Sequence, residues 1–243
     1  MISKNQLKLI RQLGQKKYRK QYNQYLVQGE KNVLELLNSS LNAVVIFATQ
    51  AFINAHQSRF PNTHIIEADE EALTKASTLV SNNAAIAIVD MPKADLPNMN
   101  GLILALDGVS DPGNLGTIIR VADWYGIKHI VTSTDSADAY NPKTISATMG
   151  SFVRVSVSQV ELPEYLQTLN LPIYGAFLDG ESVHKTQFSG EGVLLMGSES
   201  HGIREACAGL VTDKITIPAF GEAESLNVAM ATGIILDNFK RQA

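Results

Sequence analysis

Apolar residues along this chain fall into short unbroken runs and into stripes at helical spacing, and the two kinds alternate. Lys4–Leu13 reads as a helix, with Leu7, Ile10 and Arg11 at helical spacing, followed by a basic linker over Gly14–Lys20. Tyr25–Gln28 reads as a strand, and Glu30–Leu37 as a helix with Val33, Leu34 and Leu37 on one face. Ala43–Ala48 is an apolar run with the length of a buried strand. Thr49–Gln57 is helical, His64–Glu67 extended, Glu70–Lys75 helical and Ala84–Val89 a further strand. Such alternation predicts a small α/β sandwich.

The composition shifts to MPKADLPNMN over residues 91–100, with two prolines and few apolar positions. This linker predicts two domains, residues 1–92 and 99–243. In the second, strands are expected at Leu102–Leu106, Ile130–Thr132, Val153–Val157, Ile173–Phe177 (ending at the turn Asp179-Gly180) and Val193–Met196. Helices are expected at Leu115–Tyr125, Pro142–Thr148, Pro163–Leu169 and Ile203–Leu210. The strands are short, apolar and non-alternating, as in a parallel sheet covered on both faces.

The closing stretch, Ile215–Leu236, combines a β-branched strand, a loop from Pro218 and an apolar helix. A helix apolar all round belongs in a core. Yet the loop holds Glu222, Glu224, Ser225 and Asn227, polar groups that need partners. Ser225 is a natural N-cap; Asn227, placed two residues inside such a helix, is harder to accommodate.

Composition narrows the class. Hydrophobic residues make up 45% and charged residues 18% of 243, an ordinary globular balance. No apolar run reaches the ~18 residues that mark a membrane span, and the N-terminus lacks the apolar centre of a signal peptide. A single cysteine, Cys207, excludes an intrachain disulfide and a cysteine zinc site. A cytoplasmic protein with no metal is the expectation. The net charge of −4 argues against a general nucleic-acid coat, but its distribution is uneven. Residues 1–31 hold eight of the 20 basic residues, among them Lys16, Lys17, Arg19 and Lys20, against Glu30 alone. A solvated face would account for such a cluster, but a phosphate-contacting patch, with Lys16, Lys17, Arg19 and Lys20 binding RNA, is the favoured reading. Tyr18, Tyr22 and Tyr25 interleave with it and offer rings for base stacking.

In a parallel sheet, ligands bind beyond the carboxyl ends of the strands. Three strand-to-helix loops there are rich in glycine and polar groups: Asp107–Gly116, Gly197–Gly202 and Pro218–Asn227. After the first, Ile118, Val121, Ala122 and Tyr125 form an apolar stripe. Arg120 lies about 160–200° from it at ~100° per residue, facing solvent or a pocket. None of the loops is a dinucleotide fingerprint or a Walker A sequence. A hydrolase elbow and a zinc-protease helix are absent too.

Taken together and in order, the loops resemble the three signature motifs of the SpoU (TrmH) family of RNA methyltransferases. The motifs are Asp111-Pro112-Gly113-Asn114-Leu115-Gly116 through Arg120, then Gly197-Ser198-Glu199 with Gly202, then Ile217-Pro218 through Ser225-Leu226-Asn227-Val228. The N-terminal part, with the run Tyr25–Leu37, is similar to the L30e/L7Ae-like substrate-binding domain of many members. The resemblance implies transfer of a methyl group from S-adenosylmethionine to a ribose 2′-hydroxyl of RNA, ribosomal RNA ahead of transfer RNA. It implies an α/β knot of the SPOUT type, a homodimer, and sites built at the subunit interface. By the same resemblance Arg120, Asn114, Glu199, Ser225 and Asn227 are the catalytic set. Gly197, Ile217, Leu226, Ala176 and Leu195 are the cofactor-binding set, with adenine expected in an apolar slot near Leu195, Ile217 and Leu226.

A free guanidinium stays charged, so Arg120 is expected to bind phosphate and stabilise developing oxyanion character more readily than to accept a proton. Glu199 is expected to orient asparagine or arginine side chains. Competing readings are a non-catalytic RNA-binding protein of the same fold, a base-nitrogen methyltransferase and a small-molecule methyltransferase. Loss of Asn114, Arg120 or Asn227 would support the first, and all three are present.

Overall fold

The computed structural model describes residues 2–59, 64–92 and 101–241. The linker expected at 91–100, and the domain boundary placed there, fall almost entirely outside the described residues. By packing, the chain divides into two units, Met1–Lys93 with Asp138–Val153, and Ala94–Ala137 with Arg154–Ala243.

In chain order the elements are α1 (Lys4–Leu13), α2 (Lys16–Tyr22), β1 (Gln24–Gln28), α3 (Glu30–Leu37), β2 (Ala43–Ala48), α4 (Gln50–His56), β3 (Ile65–Glu67), α5 (Glu70–Ala76) and β4 (Ala85–Asp90). There follow β5 (Leu102–Asp107), α6 (Pro112–Trp124), β6 (His129–Ser133), α7 (Pro142–Ala147), β7 (Ser156–Val160), α8 (Leu162–Gln167), β8 (Ile173–Ser182), β9 (Gly192–Gly197), α9 (Glu205–Ala208), β10 (Asp213–Thr216) and α10 (Val228–Lys240).

In the first unit a four-stranded sheet runs β1-β4-β2-β3, antiparallel except for β2 and β3. Alternate residues feed its two faces: Tyr25, Val27, Ile46 and Ala87 one core, Leu26, Phe47, Ile86 and Ile88 the other. A capping box starts α1, with Ser3 Oγ accepting from the Gln6 amide at 3.3 Å and Gln6 Oε1 from the Ser3 amide at 2.8 Å.

Two expectations fail here. Gly14–Lys20 is not a linker, since α2 begins at Lys16 and ends on Asn23 in the left-handed conformation, φ 52°. Arg19 is not an RNA ligand either. It is 1% exposed, with Nη2 2.6 Å from Asp138 Oδ2 and Nη1 donating to the Leu13 carbonyl at 2.9 Å. Lys16, Lys17 and Lys20 remain exposed. Tyr25 is likewise lost as a stacking ring, because it is fully buried against Tyr140 at 4.8 Å and Phe152 at 6.4 Å between ring centroids. Burial pushes its hydroxyl pKa far upward. The stretch 138–153, which includes α7, thus packs with the first unit although its sequence neighbours build the second.

In the second unit six strands run β10-β8-β9-β5-β6-β7, every neighbouring pair parallel. The expected parallel α/β architecture is present. Pro112 at N1 and the Asp111 cap, whose carboxylate accepts from the Asn114 amide at 2.9 Å, start α6 earlier than its apolar stripe indicates. The stripe that is buried is Leu115, Ile118, Ile119 and Ala122. The strand expected at Val153–Val157 lies at Ser156–Val160, because pairing with β6 begins only at Ser156 and Ser151–Val153 forms a 3-10 turn. β8 does not stop at Asp179-Gly180 but runs to Ser182. Its ladder with β10 breaks after Gly175 and resumes at Glu181, so the turn signal marks a bulge.

The helix expected over Ile203–Leu210 shrinks to Glu205–Ala208, since Arg204 is extended, with ψ 152°, and its amide is taken by Asp107 at 2.8 Å. The closing helix starts at Val228 with Asn227 as its N-cap, not at Ser225. It is also not buried all round, since Met230 is 62% exposed. Among the described residues no helix is long and apolar enough to cross a membrane, and no cluster of His, Cys, Asp or Glu could hold a metal ion.

Candidate active site

The first and second loops start at the carboxyl ends of neighbouring strands, Asp107 of β5 and Gly197 of β9, which pair with each other. The third follows β10 and ends on the cap of α10.

Asn227 fixes the geometry that follows. Its Oδ1 accepts from the Ala229 amide at 3.0 Å and the Met230 amide at 3.4 Å, capping α10. That leaves Nδ2 to face Asn114, whose Oδ1 accepts from it at 3.0 Å. Asn114 Nδ2 is then turned towards Glu199 and donates to its Oε1 in a short hydrogen bond. Each amide orientation dictates the next, so one arrangement satisfies the whole chain of bonds. Asn114, Glu199 and Asn227, drawn from three loops, form one polar triad. Each amide keeps one free N–H and the carboxylate one free oxygen. Together these can donate to and accept from the vicinal hydroxyls of a ribose.

Arg120 stands apart. It lies six residues after Asn114 on α6, about 120° around the axis and roughly 9 Å along it. It is exposed, and makes no hydrogen bond or ion pair with any described residue. Ser225 is exposed on the third loop, outside the triad. Nothing in the third loop is buried without a partner, because Glu222, Glu224, Ser225 and Asn227 all face solvent.

Leu195 is fully buried in the core cluster beneath the sheet and offers no side-chain surface to a cofactor, so it leaves the expected slot. Ile217 is partly exposed and Leu226 is 49% exposed. Ala176 opens the ladder break in β8. Residues 217–226 make no backbone hydrogen bond to any described residue. A run of free amides and carbonyls beside exposed aliphatic side chains fits an adenosyl group, which needs edge hydrogen bonds and an apolar face. By that test S-adenosylmethionine suits this loop.

The second loop is shaped by Gly197. Ser198 and Gly202 exchange backbone bonds of 3.1 and 2.9 Å, folding the loop back on itself. A Cβ at Gly197 would lie 2.1 Å from the Gly202 carbonyl carbon. Gly197→Ala therefore forces this hairpin open. S-adenosylmethionine affinity, read by calorimetry, is expected to fall at least tenfold, the equivalent of about 1.4 kcal/mol. Unchanged affinity would remove the hairpin from cofactor binding.

Sequence reasoning missed Arg204. It binds Asp107, fully buried at the end of β5, through its amide, its Nε at 2.8 Å and one Nη. Its other contacts reach Asp135 at 3.1 Å. One arginine thereby ties the second loop to the strand end that starts the first. A hydrogen bond from Ser133, ahead of the nearby Arg204 charge, holds the Asp135 carboxyl below its ordinary range. The buried charge was legible at Asp107, which ends an apolar strand; its partner, 97 residues later, was not.

Residues 101–237 match the SpoU rRNA Methylase family, and residues 4–87 match the MRM3-like substrate binding domain. The chain is 30% identical over 240 residues to the 23S rRNA (guanosine(2553)-2′-O)-methyltransferase RlmP of Bacillus subtilis, covering 96% of each. A solved structure assigned to the TrmH family of RNA methyltransferases, from Porphyromonas gingivalis, superposes with a TM-score of 0.91 at 37% identity and 100% coverage of both chains. The AdoMet-bound rRNA methyltransferase of Sinorhizobium meliloti superposes at 0.86, with 28% identity and coverage of 99% and 97%. The chain belongs to the SpoU rRNA methylase family and is an RNA ribose 2′-O-methyltransferase that uses S-adenosylmethionine.

Proposed function

We propose that this enzyme methylates a ribose 2′-hydroxyl of ribosomal RNA in the cytoplasm, acting as a homodimer. Residues 1–92 serve as its substrate-binding domain and residues 99–243 as a knotted catalytic domain. The observation that carries the reading is the Asn114–Glu199–Asn227 triad, whose free donors and acceptor suit the hydroxyls of one ribose. The similarity to RlmP favours ribosomal over transfer RNA as the substrate.

S-adenosylmethionine, when bound, supplies an electrophilic methyl group on a sulfonium. Backbone groups of the Gly197–Gly202 hairpin and of the loop after Ile217 would hold it, with Ile217, Leu226 and Ala176 supplying the apolar surface. Asn114 and Asn227 hold the target ribose, and Glu199 fixes the Asn114 amide and accepts from a hydroxyl. Ser225, exposed beside Leu226, adds a further donor for the ribose. The 2′-hydroxyl must give up its proton to solvent water as it attacks, and the oxygen carries negative character as that proton leaves. Arg120 grips the adjacent phosphate in a bidentate contact and offsets that charge.

Arg120 makes no hydrogen bond to the triad of its own chain, which fits a site completed by a partner subunit. An exposed apolar surface supports the same assembly. Trp124 on α6 is 84% exposed and Met230 on α10 is 62% exposed, on helices that pack together. Large apolar side chains in that setting mark an association surface.

The test is to incubate the enzyme and cofactor with ribosomal RNA from cells lacking it, and then to hydrolyse the RNA in alkali. A 2′-O-methyl group removes the nucleophile for strand cleavage, so one phosphodiester should become resistant. A methyl group recovered on a base, with no resistant bond, would sink the proposal.

A further inference from the structure

The first 29 residues contain seven cationic side chains and no carboxylate, leaving the rest of the chain at a net −11. With Arg19 committed to Asp138, the remaining six stay in solvent without an ion pair among the described residues. Three of them, Lys4, Lys8 and Arg11, recur at i, i+4 and i+7 and so share one face of α1. The opposite face supplies Ile10 and Leu13 to the core, so the cationic face is held rigidly.

This face forms one wall of a groove of about 310 Å³, lined also by Gln12, Gln15 and Tyr18. Tyr18 stacks on Tyr22 at 6.4 Å with 17° between the ring planes. The Lys17 ammonium lies 5.4 Å from the Tyr18 ring centroid, and the Tyr22 hydroxyl donates to Gln12 Oε1 at 3.4 Å. An aromatic pair pinned beside three free cations has no use in the core it leaves behind.

We infer that this groove seats one unstacked nucleotide of the RNA substrate, its phosphates on Lys4, Lys8 and Arg11 and its base against Tyr18. The inference rests on the substrate being RNA. The volume is at the lower end for a small-ligand site, the scale of a nucleotide. A duplex would hide its base faces from Tyr18, and recognition of double-stranded RNA spreads over ~16 base pairs. The wall here is only ten residues of helix, about 15 Å long. Gln12 and Gln15 can pair with any base edge, and a tyrosine face accepts every base. The substrate therefore presents a loop or bulge to this unit, with little sequence preference at that nucleotide.

The test uses the full-length protein, with anisotropy of a labelled oligouridylate of about 12 nucleotides and of an RNA duplex about 16 base pairs long. The single strand should bind more tightly. Tyr18→Ala should weaken it about 5- to 100-fold and Tyr18→Phe should not. Lys4→Ala, Lys8→Ala and Arg11→Ala combined should lower the salt slope by about 2. Thermal melting and S-adenosylmethionine binding establish that each variant is folded. Unchanged affinity and slope in the folded variants would overturn the inference, as would equal binding of the duplex. Groove-dependent binding without any 2′-O-methylation would instead sink the proposed function and leave the groove standing.

Discussion

Arg120→Ala should lower the rate of methyl transfer by about 10²- to 10³-fold, the usual loss when one donor to a developing oxyanion is removed. S-adenosylmethionine affinity should stay unchanged, because Arg120 lies outside the cofactor loop. The side chain is exposed and has no partner among the described residues, so stability should change by less than about 0.5 kcal/mol. Arg120→Lys separates charge from geometry. An ammonium keeps the positive charge but cannot form two parallel bonds to a phosphate, so it should recover only a small part of the rate. Single-turnover kinetics on the substrate RNA, with calorimetric cofactor binding alongside, check both variants. Near-normal turnover in Arg120→Lys would remove the bidentate phosphate contact from the mechanism.

Arg204→Ala should destabilise the second unit by about 3 kcal/mol. That would lower the melting temperature by roughly 10 °C for a chain of this size. Asp107 is fully buried, and without Arg204 its carboxylate is left charged in the end of an apolar strand. The figure is taken at the low end for broken buried pairs because the arginine side chain is itself 47% exposed. Adding Asp107→Asn to Arg204→Ala should restore part of the loss, since the stranded charge disappears while its volume remains. Calorimetric melts of the two variants decide this; no recovery in the double variant would mean that the loss comes from loop geometry and not from charge. Asp135, held below its ordinary pKa, contributes its share above the unfolded carboxylate range and loses it as pH falls through the lowered folded value.

Most elements were legible because apolar runs and helical stripes report directly on burial. Ala43–Ala48 and Glu30–Leu37 match their expected limits. The misses share a different cause. Lys16–Tyr22 carries no apolar stripe, and it is held by Arg19 reaching a carboxylate 119 residues away. The α9 helix lost its first residues to a carboxylate from β5, again a partner distant in sequence. Ile103 and Leu195 look alike in sequence to Ile217 and Leu226, yet the first two are core, Ile217 is partly exposed and Leu226 half-exposed. Spacing names a residue's neighbours along the chain, not the element laid over it. Asn227 shows the same limit at the site. Its presence was informative, but its place as a helix cap, which aims its amide at Asn114, needed the backbone.

The first core depends on residues far downstream. Ile145 sits within it, and Tyr140 and Phe152 pack against it. A ribosome that has just released residue 92 has made a sheet whose Tyr25 face still lacks these three side chains. By the time they emerge, β5 and β6 of the other sheet already exist. Nascent chains therefore cannot finish the N-terminal unit first and the C-terminal unit second, as separate domains usually do. A fragment ending at residue 92 would carry an open apolar face, whereas a permuted gene that begins near residue 154 would keep 138–153 beside its partners. Where the two units occur in one chain, 138–153 makes the first core depend on a segment encoded inside the second.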